Sequence, residues 1–204
     1  MAERGYVEQL VQDALRYHGN PAEVTKIDPL SGAVLWRFGG IRNQFTILND
    51  PLNGFNGQHS VHMLANGNVL MVAWQMKTQT EAIAAGRDPS TVDSGGLMPD
   101  HLIEVQPSGA SGGTIVWEWH AWDHLVQDHD ASQDNFGVVG DHPELMDLNH
   151  ILNTSADWLH ANAIDYNAEL DQVLLCAHNS HEIYVIDHST STAEAAGHSG
   201  GNAG

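Results

Sequence analysis

Histidine is the residue in this sequence best placed to do chemistry, with 14 copies in 204 residues. His59 and His160 each open a strand-turn-strand pattern, so both would stand at corresponding places in a repeated unit. Imidazole takes up or releases a proton near neutral pH, binds anions when charged and ligates metals when neutral. A second group alternates with acids, in Asp123-His124, Asp128-His129-Asp130 and Asp141-His142. Carboxylate and imidazole together could take a divalent ion. Neither a calcium-loop pattern nor a His-Glu-x-x-His spacing is present, so a solvated acidic loop is expected and no metal site is predicted.

The charge map limits what the histidines could serve. There are 7 Lys+Arg against 26 Asp+Glu, a formal charge of −19. Such a chain is not expected to grip nucleic acid by neutralising phosphates, nor to dock on an anionic membrane. All 7 basic residues lie in the first 87 positions, and from Asp88 onward there is no Lys or Arg. An anion held by the later part must therefore be met by histidine, backbone N–H groups or neutral donors. The single cysteine, Cys176, excludes an internal disulfide and a cysteine-based zinc cage, and reads as a small buried strand residue. No apolar run reaches about 18 residues, so no membrane span is expected. The first residues lead into an amphipathic stretch rather than an apolar signal core.

The elements that would position the histidines are mostly short strands. Val24-Thr25-Lys26-Ile27-Asp28, a Pro/Gly turn, then Ala33 to Phe38 reads as a hairpin. The pattern returns as Leu102 to Gln106, a Pro/Gly turn, then Thr114 to Trp119, and its first strand again as Glu182 to Asp187. A second unit precedes the later copies: His59 to Leu64 with Asn66-Gly67-Asn68 and Val69 to Trp74, and His160 to Tyr166 with Gln172 to Ala177. Asn-Gly is a strong hairpin signal. Together the units predict four-stranded antiparallel sheets repeated in sequence, the pattern of β-propeller blades: a half blade (24–38), a full blade (59–119) and three strands of another (160–187). A β-sandwich with surface histidines is the alternative. Innermost strands line a propeller's channel, which would aim His59 and His160 at one end of it. Trp36, Trp117 and Trp119 are expected in the core. Residues 6–17 read as a helix, giving an N-terminal helical segment (1–22) ahead of a partial propeller domain (23–204). A second short helix is expected over 80–86, stopped by Gly86.

Four stretches resemble the bacterial arylsulfotransferases, the aryl-sulfate sulfotransferases that need no nucleotide donor. They are Asp157-Trp158-Leu159-His160-Ala161-Asn162-Ala163-Ile164-Asp165-Tyr166 with Asp171 to Leu175, Asn66 to Met71 with Ala84-Ala85-Gly86-Arg87-Asp88-Pro89, Val116 to Leu125, and Ile186-Asp187-His188-Ser189-Thr190. The resemblance runs over roughly residues 24–201, and its Trp-x-His-x-Asn segment is the most specific part.

That resemblance implies a six-bladed propeller, of which this chain supplies two to three blades. It also implies ping-pong transfer of a sulfuryl group from a phenolic sulfate ester to a phenol, through a sulfated histidine and without a cofactor. A neutral imidazole is a competent nucleophile near neutral pH, and positive groups around it would steady the sulfuryl oxygens. His160 matches the family's sulfate-contacting histidine, Asn162 the asparagine beside it, and His59 the earlier channel histidine. Eighteen positions after His160 the family has an arginine, and this chain has His178. An arginine is always charged and forks onto sulfate, whereas a histidine holds an anion only while protonated. The family's nucleophilic histidine lies after a stretch resembling Gly197 to Gly201. Gly57-Gln58-His59-Ser60 also resembles the surroundings of that nucleophile, while the turn and Arg87-Asp88-Pro89 that follow place His59 in the earlier blade. The family resemblance implies a periplasmic or secreted protein, although no export signal is read at the N-terminus.

Two to three blades do not close a propeller, and open edges invite pairing with other chains. A fragment of a longer protein, or a homo-oligomer, is the expectation. The rival functions are a catalytically incomplete propeller fragment acting as a binding or assembly module, and a metal-dependent propeller hydrolase.

Overall fold

The computed structural model describes residues 10–12, 23–40, 42–50, 56–151, 155–197 and 200–202. The described residues are all-β, in three larger stacked sheets and one small strand pair, with few helical turns. The first sheet joins β1 (Leu10–Gln12), β2 (Glu23–Ile27) and β3 (Val34–Gly39), all antiparallel. The middle sheet is an antiparallel meander of β5 (Asn56–Met63), β6 (Val69–Trp74), β7 (Asp100–Ser108) and β8 (Gly112–His120). A short strand, β4 (Thr46–Leu48), adds to β8 in parallel. The last sheet is β11 (Ala161–Asn167), β12 (Gln172–Ala177) and β13 (Glu182–Asp187), again antiparallel. Between them, β9 (Leu125–Val126) and β10 (Met146–Asp147) form a small parallel pair. The four-stranded unit expected over 59–119, the hairpin over 24–38 and the three strands over 160–187 are all present. Among the described residues the sheets form no closed ring.

The middle sheet is covered on both faces, and side-chain alternation explains how. Val69, Met71 and Ala73 enter one core with Val24, Trp36 and Phe38 from the first sheet and Phe45 from the segment after it. Leu70 and Val72 enter the other, with Ile164, Val173, Leu175 and Ile186 from the last sheet and Trp158 from the turn before it. A strand buried on both faces reads as a continuous apolar run, as Val69-Leu70-Met71-Val72-Ala73 does.

The two hairpins recognised as repeats share an irregularity. In β3, Trp36 faces Lys26 but Val34 faces Ile27, which leaves Leu35 as an extra residue. In β8, Trp117 faces Glu104 but Ile115 faces Val105, which leaves Val116 extra. Each bulge sits one residue before a tryptophan and turns the strand's faces over at that point. Ile115 accordingly joins one core while Trp117 and Trp119 join the other. Trp36, Trp117 and Trp119 are all buried, as expected.

Turn chemistry accounts for the connections. Asp28 Oδ1 accepts the Leu30 N–H at 2.9 Å, closing the β2–β3 turn. At Asn66-Gly67 only the glycine takes positive φ, at 86°, while Asn66 accepts the Asn68 N–H at 2.9 Å. The expected second helix is α1 (Gln79–Ala84), with a capping box between Thr78 and Glu81 and Gly86 just beyond its end. A final short helix, α2 (Thr192–Ala195), follows β13.

Two expectations change. Most of the N-terminal segment expected to be helical lies outside the described residues, but Leu10–Gln12 is a strand, not a helix. It pairs with Val24 to Lys26, and ladder bonds to an open sheet edge outweigh a weak helical pattern. Cys176 is only partly buried, because Val173, Leu175 and Ala177 take the inward positions of β12 and Cys176 alternates with them.

Candidate functional site

Strand order brings the two histidine-bearing strands side by side. The Ile164 N–H on β11 donates to Ser60 Oγ on β5 at 2.9 Å. At the same end, the Ala161 N–H donates to Asp100 Oδ2 at 3.0 Å. Both strands are irregular here, with register shifts around His59 in β5 and between Ala161 and Ala163 in β11. Ser60 and His160 have φ of 48° and 51°, a left-handed backbone uncommon for such residues. Bulges and strained backbone of this kind re-aim side chains next to functional sites.

His160 sits one residue before β11, on a tight turn that starts at Asp157. Its Nδ1 is bonded to Asp157 Oδ2. The side chain of His160 is 46% exposed and that of Asp157 13%, so the carboxylate lies on the protein side of the ring. Its partner ring is His178, edge to face at a centroid distance of 5.3 Å. The His178 N–H donates to the His160 carbonyl at 3.1 Å, which fixes the two backbones together. His178 Nδ1 bonds Asn179 Oδ1 at 3.1 Å, and the ring of His181 follows at 6.2 Å. Asn179 in turn donates to the carbonyls of Asp157 and Trp158 at 3.0 and 3.1 Å, tying the two turns to one another.

Two buried carboxylates lie behind this row of imidazoles. Asp100 is held well above the ordinary carboxylate range, first by burial, against the Ala161 N–H bond, and then by the charge of Asp157. Asp157 Oδ1 is buried without a hydrogen-bond partner among the described residues. Next to Asp100, the His101 ring stacks on His120 at 5.0 Å, and burial drives His101 down to about 3, so it stays neutral.

Of the residues singled out from sequence, His160 and His178 are brought together at one end of the last sheet. Asn162 lies at the β11 bulge and is exposed. The backbone of His59 pairs with Val72 in the neighbouring sheet, and its side chain lies outside the described residues. Asp157, Asp100 and His181 were not anticipated. The one signal for Asp157 was an acid three residues ahead of His160. Arg87, in a motif of the resemblance, is buried and donates to the carbonyls of Thr91, Leu148 and Ile151, so it braces the long loop.

The acidic loop is spent on its own turns. Gln127 Oε1 accepts the N–H groups of His129 and Asp130 at 2.8 and 2.7 Å, and its Nε2 donates to the Asp130 carbonyl at 2.9 Å. Asp130 takes the N–H and hydroxyl of Ser132, bonds that hold its carboxyl down at about 2. Among the described residues no group of three or more His, Cys, Asp or Glu is gathered to hold a metal ion. No helix among them is long and apolar enough to cross a membrane.

At the opposite end of the same sheets, His188 forms a clamp. Its Nδ1 bonds Asp171 Oδ1 at 2.7 Å and its Nε2 bonds Glu104 Oε2 at 2.9 Å. Carboxylates only accept, so both ring nitrogens donate and the ring is an imidazolium. Burial pushes His188 down, but its two acidic partners outweigh this and raise it above its ordinary value. Trp117 packs on the ring at 4.5 Å. The clamp joins β7 to the ends of β12 and β13, so this motif of the resemblance fastens sheet to sheet.

In comparison with known proteins, a family model described as Arylsulfotransferase (ASST) matches residues 26–194. No curated protein and no solved structure matches.

Proposed function

We propose that this chain, which belongs to the arylsulfotransferase family, transfers a sulfuryl group from a phenolic sulfate ester to a phenol acceptor through a histidine intermediate. A ring nitrogen attacks sulfur, the bond from sulfur to the aryl oxygen breaks, and the phenolate leaves. The acceptor oxygen then attacks the sulfated histidine, loses its proton and regenerates the imidazole. The balance needs no cofactor. Nε2 of His160 faces the sulfur and His178 meets the sulfuryl oxygens, with Asn162 beside them and His59 on the neighbouring strand.

One observation carries the reading: the paired rings of His160 and His178, held by a backbone bond at the end of β11, inside the matched segment. In a half of the chain without Lys or Arg, imidazole is the side chain able to offer an anionic ester positive charge. The same reading takes the sheets as blades of a propeller. It takes β13, which ends its sheet with Ile183 and Val185 exposed, as an edge where a further copy adds.

The test is release of nitrophenol from p-nitrophenyl sulfate with and without a phenol acceptor, each with and without chelator. Acceptor-dependent, chelator-insensitive release is expected. His160→Asn, which tolerates the left-handed backbone, should abolish it. Retained turnover in that variant would remove His160 from the reaction, and no release by folded wild type would leave a binding module.

A further inference from the structure

We propose that Asp157 is a positioning residue that holds His160 with its proton on Nδ1 and so presents Nε2 to the sulfuryl group; this rests on the function proposed above. A carboxylate accepts and cannot donate, so its bond to Nδ1 puts the proton on that nitrogen. In Asp–His pairs of this kind the carboxylate fixes the tautomer and orientation of the ring and steadies the imidazolium that forms.

Three features argue that the carboxylate is there for the ring rather than for the fold. Among the described residues the Asp157 carboxylate takes no backbone N–H: Oδ2 meets the His160 ring, and Oδ1 is buried with no hydrogen-bond partner. Asp130 and Asp187, which do serve turns, accept from both the backbone and the side chain of a nearby serine. The backbone of Asp157 is anchored independently, by a bridge to Met98 and by the Asn179 amide on its carbonyl. The segment therefore does not need the side chain to stay in place. Finally, His160 takes φ of 51° three residues later. Such strain persists only where the surroundings impose it, and it accompanies the turn that brings the ring back onto Asp157. The neighbouring Asp100 is raised first by burial and then by the charge of Asp157.

The proposal is tested on the whole chain by nitrogen-15 NMR of histidine-labelled protein at alkaline pH, with His160→Asn to assign the signal. His160 should show a protonated Nδ1 and a bare Nε2, and Asp157→Asn should shift it toward a mixture of tautomers. In the p-nitrophenyl sulfate assay, Asp157→Asn should lower kcat by roughly 10²- to 10⁴-fold, with KM changed by less than about threefold, and Asp157→Glu should recover part of the loss. A wild-type His160 protonated on Nε2, or an Asp157→Asn protein that keeps kcat, would overturn the proposal. If Asp157→Asn fails to fold, the wild-type tautomer and Asp157→Glu still decide. Wild type lacking aryl-sulfate transfer would strike the functional reading alone, and the tautomer would then decide the role of Asp157.

Discussion

The His178 N–H donates to the His160 carbonyl at 3.1 Å while the two rings meet edge to face, 5.3 Å between centroids. The backbone bond fixes where any side chain at position 178 starts, whatever its length. A guanidinium placed there would reach the space beside His160 with a permanent charge and two parallel donors. His178→Arg should therefore raise kcat/KM for p-nitrophenyl sulfate roughly tenfold, mostly through KM. Steady-state kinetics of a folded variant with unchanged kcat/KM would separate His178 from the donor.

The His188 clamp should matter to stability rather than to turnover. Glu104 is buried and keeps its charge because His188 and Asn68 bond it against the cost of burial. Removing the ring leaves that charge without its cation. His188→Ala is expected to cost about 2–4 kcal/mol, read by urea unfolding, with kcat at permissive temperature little changed.

The clamp also sets a pH signature. His188 is raised above 6.5 on folding, so its contribution is complete below that value and is lost as pH rises through the folded value. Glu104 is lowered below 4.5, so its contribution is complete above that value and is lost as pH falls through the folded one. The stability gap between wild type and His188→Gln should be widest between 4.5 and 6.5 and narrow on either side. A gap that stayed flat across unfolding curves from acid to alkaline pH would contradict a charged clamp.

Ser60 links the two strands at the site end through its bond to the Ile164 N–H. Ser60→Ala should cost about 1 kcal/mol, measured by thermal or urea unfolding. It should also lower kcat modestly, because the bond sets how β5 stands against β11. A variant that loses stability without any change in kcat would place the link outside the reacting geometry.

Local chemistry was what the sequence displayed well. Asp28 to Gly32 and Asn66-Gly67 announce their turns, Val69 to Trp74 its strand, and residues 80–86 a short helix found at Gln79–Ala84. The family resemblance pointed to His160 and His178, and the structure brings those two together. What escaped notice depends on geometry that spacing does not encode. Asp157 reaches His160 only because the backbone turns left-handed at the histidine. The partners of His188 lie 17 and 84 residues away, so no window of sequence contains the clamp. Arg87 is enclosed by carbonyls, two of them from residues 61 and 64 positions later, which no short motif reveals. Leu10–Gln12 shows that an available sheet edge can decide the fate of an amphipathic stretch.

The bulges at Leu35 and Val116 have a bearing on how these strands tolerate change in length. Because each extra residue is skipped by the partner strand, Ile115 and Trp117 already face opposite ways, as adjacent residues of a regular strand would. Deleting Val116 would thus leave every later side chain on its present face, whereas deleting Glu118 would turn Trp119 out of its core. Insertions and deletions among relatives are then expected to gather at these two positions. Residue-by-residue matching of the hairpins should be anchored on Trp36 and Trp117, not on the strand starts.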